Sequence, residues 1–104
     1  MPSSELSVVF CYVYVLRSLS NASYYVGFTH NLRGCITEHN AGLSPSTKPY
    51  RPWEILYYEA HRSEEDARRR EKYLKTSSGK QALRRMIRKQ LLSSGNSSQQ
   101  KGYN

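Results

Sequence analysis

The sequence predicts a small α+β domain with its elements in the order β-β-α-β-α-α, and three observations carry that prediction. A run rich in β-branched and aromatic residues, VVFCYVYVL from Val8 to Leu16, is followed after a short polar break by a second run, Tyr24 to Phe28. Further on, apolar residues recur three and four apart, which is the spacing of an amphipathic helix. The length of 104 residues suits one domain with a modest core and a single site. We place that domain at residues 8–92. Residues 1–7 and 93–104 (SSGNSSQQKGYN) are too polar to offset the entropy of ordering, so both ends are expected to be flexible.

The Val8–Leu16 run suits a strand buried on both faces, with Tyr12, Tyr14 and Leu16 sharing one face. The short gap before Tyr24, containing Asn21, favours an antiparallel hairpin, with Tyr25 and Gly27 on one face of the second strand. Thr29 can cap the helix that follows. Leu32, Cys35, Ile36 and His39 then fall on one stripe of it, and Gly42 is a plausible stop. Three prolines between Ser44 and Pro52 demand a surface loop. Trp53 to Glu59 (WEILYYE) reads as a third strand. Ser63 with Asp66 starts a second helix, whose apolar stripe is Ala67, Glu71 and Leu74. A last helix is expected from Ser78, with Gln81 as its capping partner; it would bury Ala82, Leu83, Met86, Ile87 and Leu91 while Arg84, Arg85, Arg88 and Lys89 face outward.

The net charge is +8. Between Arg62 and Lys89 lie eleven of the sixteen Lys and Arg against four acids. Basic side chains displace counterions from a phosphate backbone, so nucleic acid is the leading partner, DNA before RNA, although a solvated helical face would be basic too. Cys11 and Cys35 form neither a CxxC pair nor a metal-spaced cluster with the three histidines, which argues against structural zinc. No apolar run is long enough to span a membrane, and Met1 to Ser7 lacks the layout of a signal peptide. The expected setting is the cytoplasm, with reduced thiols. The oligomeric state stays open.

Three features carry chemistry: tyrosines paired across a hairpin, an inward-facing His39, and Glu71 on an apolar stripe. Each also has a plainer reading. Tyr14 and Tyr25 can simply pack, His39 can cap or pack at a helix end, and Glu71 can pair with an arginine of its own helical region. Taken together, phenols, an imidazole and a carboxylate under a basic surface suit phosphodiester hydrolysis assisted by one divalent metal. A fixed cation for the phosphate is missing.

These motifs resemble the GIY-YIG nuclease superfamily, specifically its small stand-alone members. Tyr12-Val13-Tyr14 stands where the first triplet belongs and Tyr25-Val26-Gly27 where the second belongs, with Tyr25 eleven positions after Tyr14. NLRGCITEHNAG (Asn31 to Gly42), STKPYRPWEILYYE (Ser46 to Glu59) and EEDARRREKYLK (Glu64 to Lys75) resemble the family's helix, its loop and third strand, and its carboxylate helix, so the likeness runs from about residue 10 to 90. The resemblance implies a three-stranded antiparallel sheet flanked by helices. It also implies that Tyr14 and Tyr25 position or deprotonate the attacking water, that His39 assists, and that Glu71 holds one Mg or Mn ion. Arg33, Lys48, Arg68, Arg69, Lys72 and Lys75 are expected to contact nucleic acid.

Two departures stand out. The first triplet's glycine is Tyr12, which small members of the family tolerate. The family's arginine, eight positions after Gly27, is Cys35, and a thiol supplies neither the charge nor the paired hydrogen bonds of a guanidinium. Arg33 points elsewhere on the helix, whereas Arg70 or Lys72 can approach from beside Glu71. The sequence therefore supports a metal-dependent endonuclease weakened or rearranged at Cys35, beside a non-catalytic nucleic-acid-binding domain on the same fold and a basic partner of an acidic protein.

Overall fold

A computed structural model describes residues 9–93. The elements are β1 (Cys11–Ser18), β2 (Tyr24–Thr29), α1 (Leu32–Ala41), a single 3-10 turn (Lys48–Tyr50), β3 (Trp53–His61), α2 (Glu64–Leu74) and α3 (Ser77–Met86). The α+β class and the β-β-α-β-α-α order are as expected. The three strands form one antiparallel sheet in the order β2-β1-β3. The backbone groups into two compact units, Met1–Lys72 and Tyr73–Asn104.

β1 is central because it alone is buried along both faces; Val13, Val15 and Leu16 are wholly inaccessible. It starts three residues later than expected. Val9 and Phe10 are exposed and precede the first ladder pair, Cys11 with His61, and Val8 lies outside the described residues. At its other end β1 extends to Arg17 and Ser18, which pair with Tyr24, Glu54 and Trp53. Ladder partners, rather than composition, set these ends. The connection to β2 is tied by Ser18, whose Oγ accepts from the Ser20 and Asn21 amides, each at 3.1 Å.

In register, Tyr14 stands opposite Gly27 on one side and Tyr58 on the other, and Leu16 stands opposite Tyr25. Side chains directly opposite share a face, so Tyr12, Tyr14, Leu16, Tyr25 and Tyr58 project together. Leu32, Cys35 and Ile36 of α1 pack on this face against Tyr14, Leu16 and Trp53. The expected α1 stripe is therefore correct, but its cap is not Thr29. Thr29 closes β2, and Asn31 caps the helix, its Oδ1 accepting from the Gly34 amide at 3.0 Å. Asn31 wins because it has the extended backbone of a cap one residue before the first helical position. Gly42 ends α1 in the left-handed region, φ 82°.

The opposite sheet face, that of Val13, Val15, Val26 and Phe28, meets α2. The Arg68 guanidinium lies 3.9 Å from the Phe28 ring centroid, and Ala67 is fully buried. Ser63 Oγ accepts from the Asp66 amide at 3.2 Å, and Glu64, Glu65 and Asp66 place negative charge where the helix dipole favours it.

Within the second unit, α3 is capped by Thr76, not by Ser78: Thr76 Oγ1 accepts from the Gly79 amide at 3.0 Å, so the cap lies two residues earlier than expected. Gly79 is buried against its own chain, since a Cβ there would overlap the Tyr73 carbonyl and come within 2.8 Å of Leu74 Cα. Leu83 and Ile87 are buried as expected, Ala82 and Leu91 are half-buried, and Met86 is 51 % exposed, contrary to expectation. The helix is interrupted at Ile87, so Met86 falls at the break and not on a continuous stripe. Helix resumes over 88–93, taking in Ser93; the other residues of the expected flexible ends, 1–7 and 94–104, lie outside the described residues.

Candidate active site

The site is organised around the Tyr14 hydroxyl. Tyr14 sits mid-strand at 3 % exposure, and its ring lies across Gly27 on β2, where any Cβ would collide with the phenol. The second tyrosine is its diagonal neighbour: the Tyr14 and Tyr25 ring centroids are 6.3 Å apart. α1 lays His39 against both phenols, its ring centroid 5.1 Å from that of Tyr25. Tyr14 Oη and His39 Nε2 are 3.0 Å apart, buried.

The other ring nitrogen of His39, Nδ1, is 2.8 Å from Thr47 Oγ1. Thr47 is 1 % exposed and its hydroxyl donates to the Ser44 carbonyl at 3.5 Å. We assign the ring proton to Nδ1, where it donates to Thr47 Oγ1, which leaves Nε2 as the acceptor for Tyr14. Thr47 is fixed in turn by Trp53, whose indole N–H donates to the Thr47 carbonyl at 2.9 Å. Asn40 clamps Trp53 to α1: its Oδ1 accepts from the Trp53 amide at 2.7 Å and its Nδ2 donates to the Trp53 carbonyl at 3.0 Å.

Cys35 packs against the same cluster, with Tyr14 and Thr29 as its polar neighbours. Burial, with the neighbouring Cys35 adding to it, raises the Tyr14 pKa far above the ordinary phenol value. Burial also raises the Cys35 thiol, against the lowering effect of Tyr14, and lowers His39 below its ordinary 6.5. All three groups are therefore uncharged at neutral pH. A phenol in this state is not a ready-made base; it passes a proton on only if an acceptor stands behind it, and His39 Nε2 stands there.

Glu71 is half-buried on the α2 stripe with Ala67 and Leu74, and its charge contributes to raising Tyr14. Among the described residues no group of three or more His, Cys, Asp and Glu is placed to hold a metal ion. A Mg-type ion does not require one, because it keeps several waters and takes one or two carboxylates plus substrate phosphate oxygens. Glu71, a single half-buried carboxylate whose charge is felt at Tyr14, fits that demand.

The structure thus brings Tyr14, Tyr25, Cys35 and His39 together, whereas Glu71 lies on α2 and is linked to them through the effect of its charge on Tyr14. The expected nucleic-acid contacts divide. Arg33, Lys48, Lys72 and Lys75 are exposed. Arg68 is engaged by Phe28 and by Glu64 at 3.4 Å, and Arg69 by Asp66 at 2.8 Å. Arg70, a sequence candidate to replace the missing cation, is held on the sheet face opposite Tyr14, where its Nε donates to Glu59 Oε2 at 2.8 Å. Glu59 also accepts from Tyr57 and meets His61 Nε2, each at 2.8 Å.

Sequence reasoning missed Thr47, Asn40 and the seat that Gly27 makes for Tyr14. The last was readable: an antiparallel hairpin that pairs Leu16 with Tyr25 must pair Tyr14 with Gly27. Thr47 lies in a proline-containing loop, and no periodicity there signals a buried hydroxyl.

Residues 10–85 match the family model described as the GIY-YIG catalytic domain. A UPF0213 protein of Staphylococcus haemolyticus is 40% identical over 74 residues, covering 70% of this chain and 89% of that protein. UPF0213 proteins of Clostridium perfringens and Pediococcus acidilactici are 34% and 33% identical, covering 69% and 70% of this chain and 77% and 76% of those proteins. No solved structure matches the chain. No helix of the described residues is long and apolar enough to cross a membrane.

Proposed function

The chain belongs to the GIY-YIG family, a nuclease-type family, and we propose that it is a metal-dependent endonuclease whose rate is held down by Cys35. The observation that carries this reading is the buried line Tyr14–His39–Thr47, which gives a proton taken from water somewhere to go.

In the reaction, water attacks phosphorus as its proton passes to the Tyr14 oxygen and the Tyr14 proton passes to His39 Nε2. The phenol never carries full charge, which its raised pKa would oppose. The imidazolium so formed keeps its Nδ1–H on Thr47. The phosphorus–oxygen bond breaks and the leaving oxygen takes a proton from solvent. Tyr25 packs beside His39 and walls the site. Glu71 would hold one Mg or Mn ion, which when bound supplies charge stabilisation on the phosphate. Cys35, a neutral thiol, supplies none, and a missing cationic donor costs several kcal/mol, hence roughly a hundredfold or more in rate. The net charge of +8 supports a polyanionic substrate, DNA in the first instance, with Arg33, Lys48 and Lys72 as backbone contacts.

Cleavage of labelled duplex, branched and single-stranded DNA with Mg or Mn tests this reading. Cys35→Arg should cut roughly a hundredfold faster than the parent, and Glu71→Ala and Tyr14→Phe should cut more slowly. If parent and Cys35→Arg both bind and neither cuts, the enzyme reading fails. The thiol in place of a guanidinium favours one other reading, a binding domain without catalysis, which that result would establish.

A further inference from the structure

The face that presents Tyr14 continues onto β3, an edge strand, where it holds aromatic surface that the site does not use. Tyr58 pairs directly with Tyr14 and is 52 % exposed. Tyr12, half-buried, braces it: the two rings meet edge to face, centroids 6.0 Å apart at 65°. Such a contact fixes a ring's orientation while leaving much of its area to solvent. A large, oriented, exposed aromatic side chain on a chain of net charge +8 is suited to stack on an aromatic group attached to a polyanion.

We propose that Tyr58, braced by Tyr12, is a stacking subsite for an unpaired nucleobase, so that the preferred ligand of this face is single-stranded DNA. Directly opposite side chains on neighbouring strands lie roughly 5 Å apart at Cβ. That is within the span of one nucleotide from its phosphate to its base, so a strand whose phosphate lies at Tyr14 can lay the attached base on Tyr58. A base inside a duplex has both faces covered by its neighbours and offers nothing to stack on; an unpaired base does. The phosphate's position rests on the nuclease reading above, whereas the stacking itself does not depend on cleavage.

Binding without divalent metal separates the two. Fluorescence anisotropy with a labelled oligothymidylate and with a labelled duplex of the same length, at fixed salt, should show that Tyr58→Ala weakens the single strand roughly tenfold and leaves the duplex unchanged. Tyr58→Phe should bind as the parent does, and Tyr58→Leu, which keeps apolar bulk without a π face, should behave as Tyr58→Ala. The proposal is overturned if Tyr58→Ala and Tyr58→Leu bind the single strand as tightly as the parent, or if single strand and duplex weaken together. A Tyr58-dependent preference for the single strand in a protein that cuts nothing would sink the nuclease reading and leave the subsite standing.

Discussion

Replacing Thr47 with valine isolates the contact that orients His39. Valine has the shape of threonine, so packing around the 1 % exposed side chain is kept and only the hydroxyl is lost. His39 is 6 % exposed, and its Nδ1–H, now 2.8 Å from Thr47 Oγ1, would be buried with no acceptor. An orphaned buried donor costs roughly 1–3 kcal/mol. The Ser44 carbonyl also loses a donor, but Ser44 is half-buried and water can replace it, which adds little. The expected loss is about 2 kcal/mol, or a fall in Tm of roughly 10 °C for a domain of this size. Thr47→Ser keeps the hydroxyl and should recover most of it. A second readout follows the imidazole by NMR titration. The protonated ring needs acceptors on both nitrogens, so removing Thr47 should push the His39 pKa, already lowered by burial, further down. A Thr47→Val protein with Tm within 2 °C of the parent and an unchanged His39 titration would refute the assignment of Thr47 as the partner that sets the ring's tautomer.

Further outcomes follow from the same geometry. Gly27→Ala should displace the Tyr14 ring, because the new Cβ overlaps the phenol; we expect a loss of roughly 1–3 kcal/mol in denaturant melts and a shifted His39 ring resonance. Gly79→Ala should destabilise despite a helix-propensity gain of about 1 kcal/mol, since the obstacle is the Tyr73 and Leu74 backbone; thermal melts that show stabilisation would contradict it. Acidification should weaken the fold in two steps. His39 has a lowered pKa, so the unfolded chain takes its proton first and stability falls as pH drops below 6.5. Burial opposes ionisation of Glu59, but hydrogen bonds from His61, Tyr57 and Arg70 outweigh it and hold its pKa below 4.5, so that part of the stability is present above 4.5 and is lost below it. Glu59→Gln should abolish the second step in a pH series of denaturant melts and leave the first.

How far the molecule could be read from its sequence depended on whether the deciding interaction is local. Periodicity is local, which is why the stripe Leu32, Cys35, Ile36 and His39 was legible and did pack on the sheet. Caps are nearly local and were read to within a few residues: Asn31 and Thr76 displace Thr29 and Ser78 because backbone angles choose among neighbouring polar side chains, and composition does not report those angles. Strand ends follow ladder partners more than forty residues away, as with Cys11 and His61, so they shifted. Charge is the least local of all. A basic helix read alone offers Arg68, Arg69 and Arg70 equally to a phosphate, yet Phe28 and Glu59 come from strands whose faces are known only once the sheet is assembled. Cys35 is a second case of a non-local environment. Its neighbours on α1 are readable, but its closest chemical partners, Tyr14 and Thr29, come from two different strands, and it is their hydroxyls, not a phosphate-binding cation, that the thiol meets. Any arginine introduced at position 35 must therefore be accommodated against the packed Tyr14 cluster before it can serve a phosphate, so Cys35→Arg should gain rate at some cost in stability.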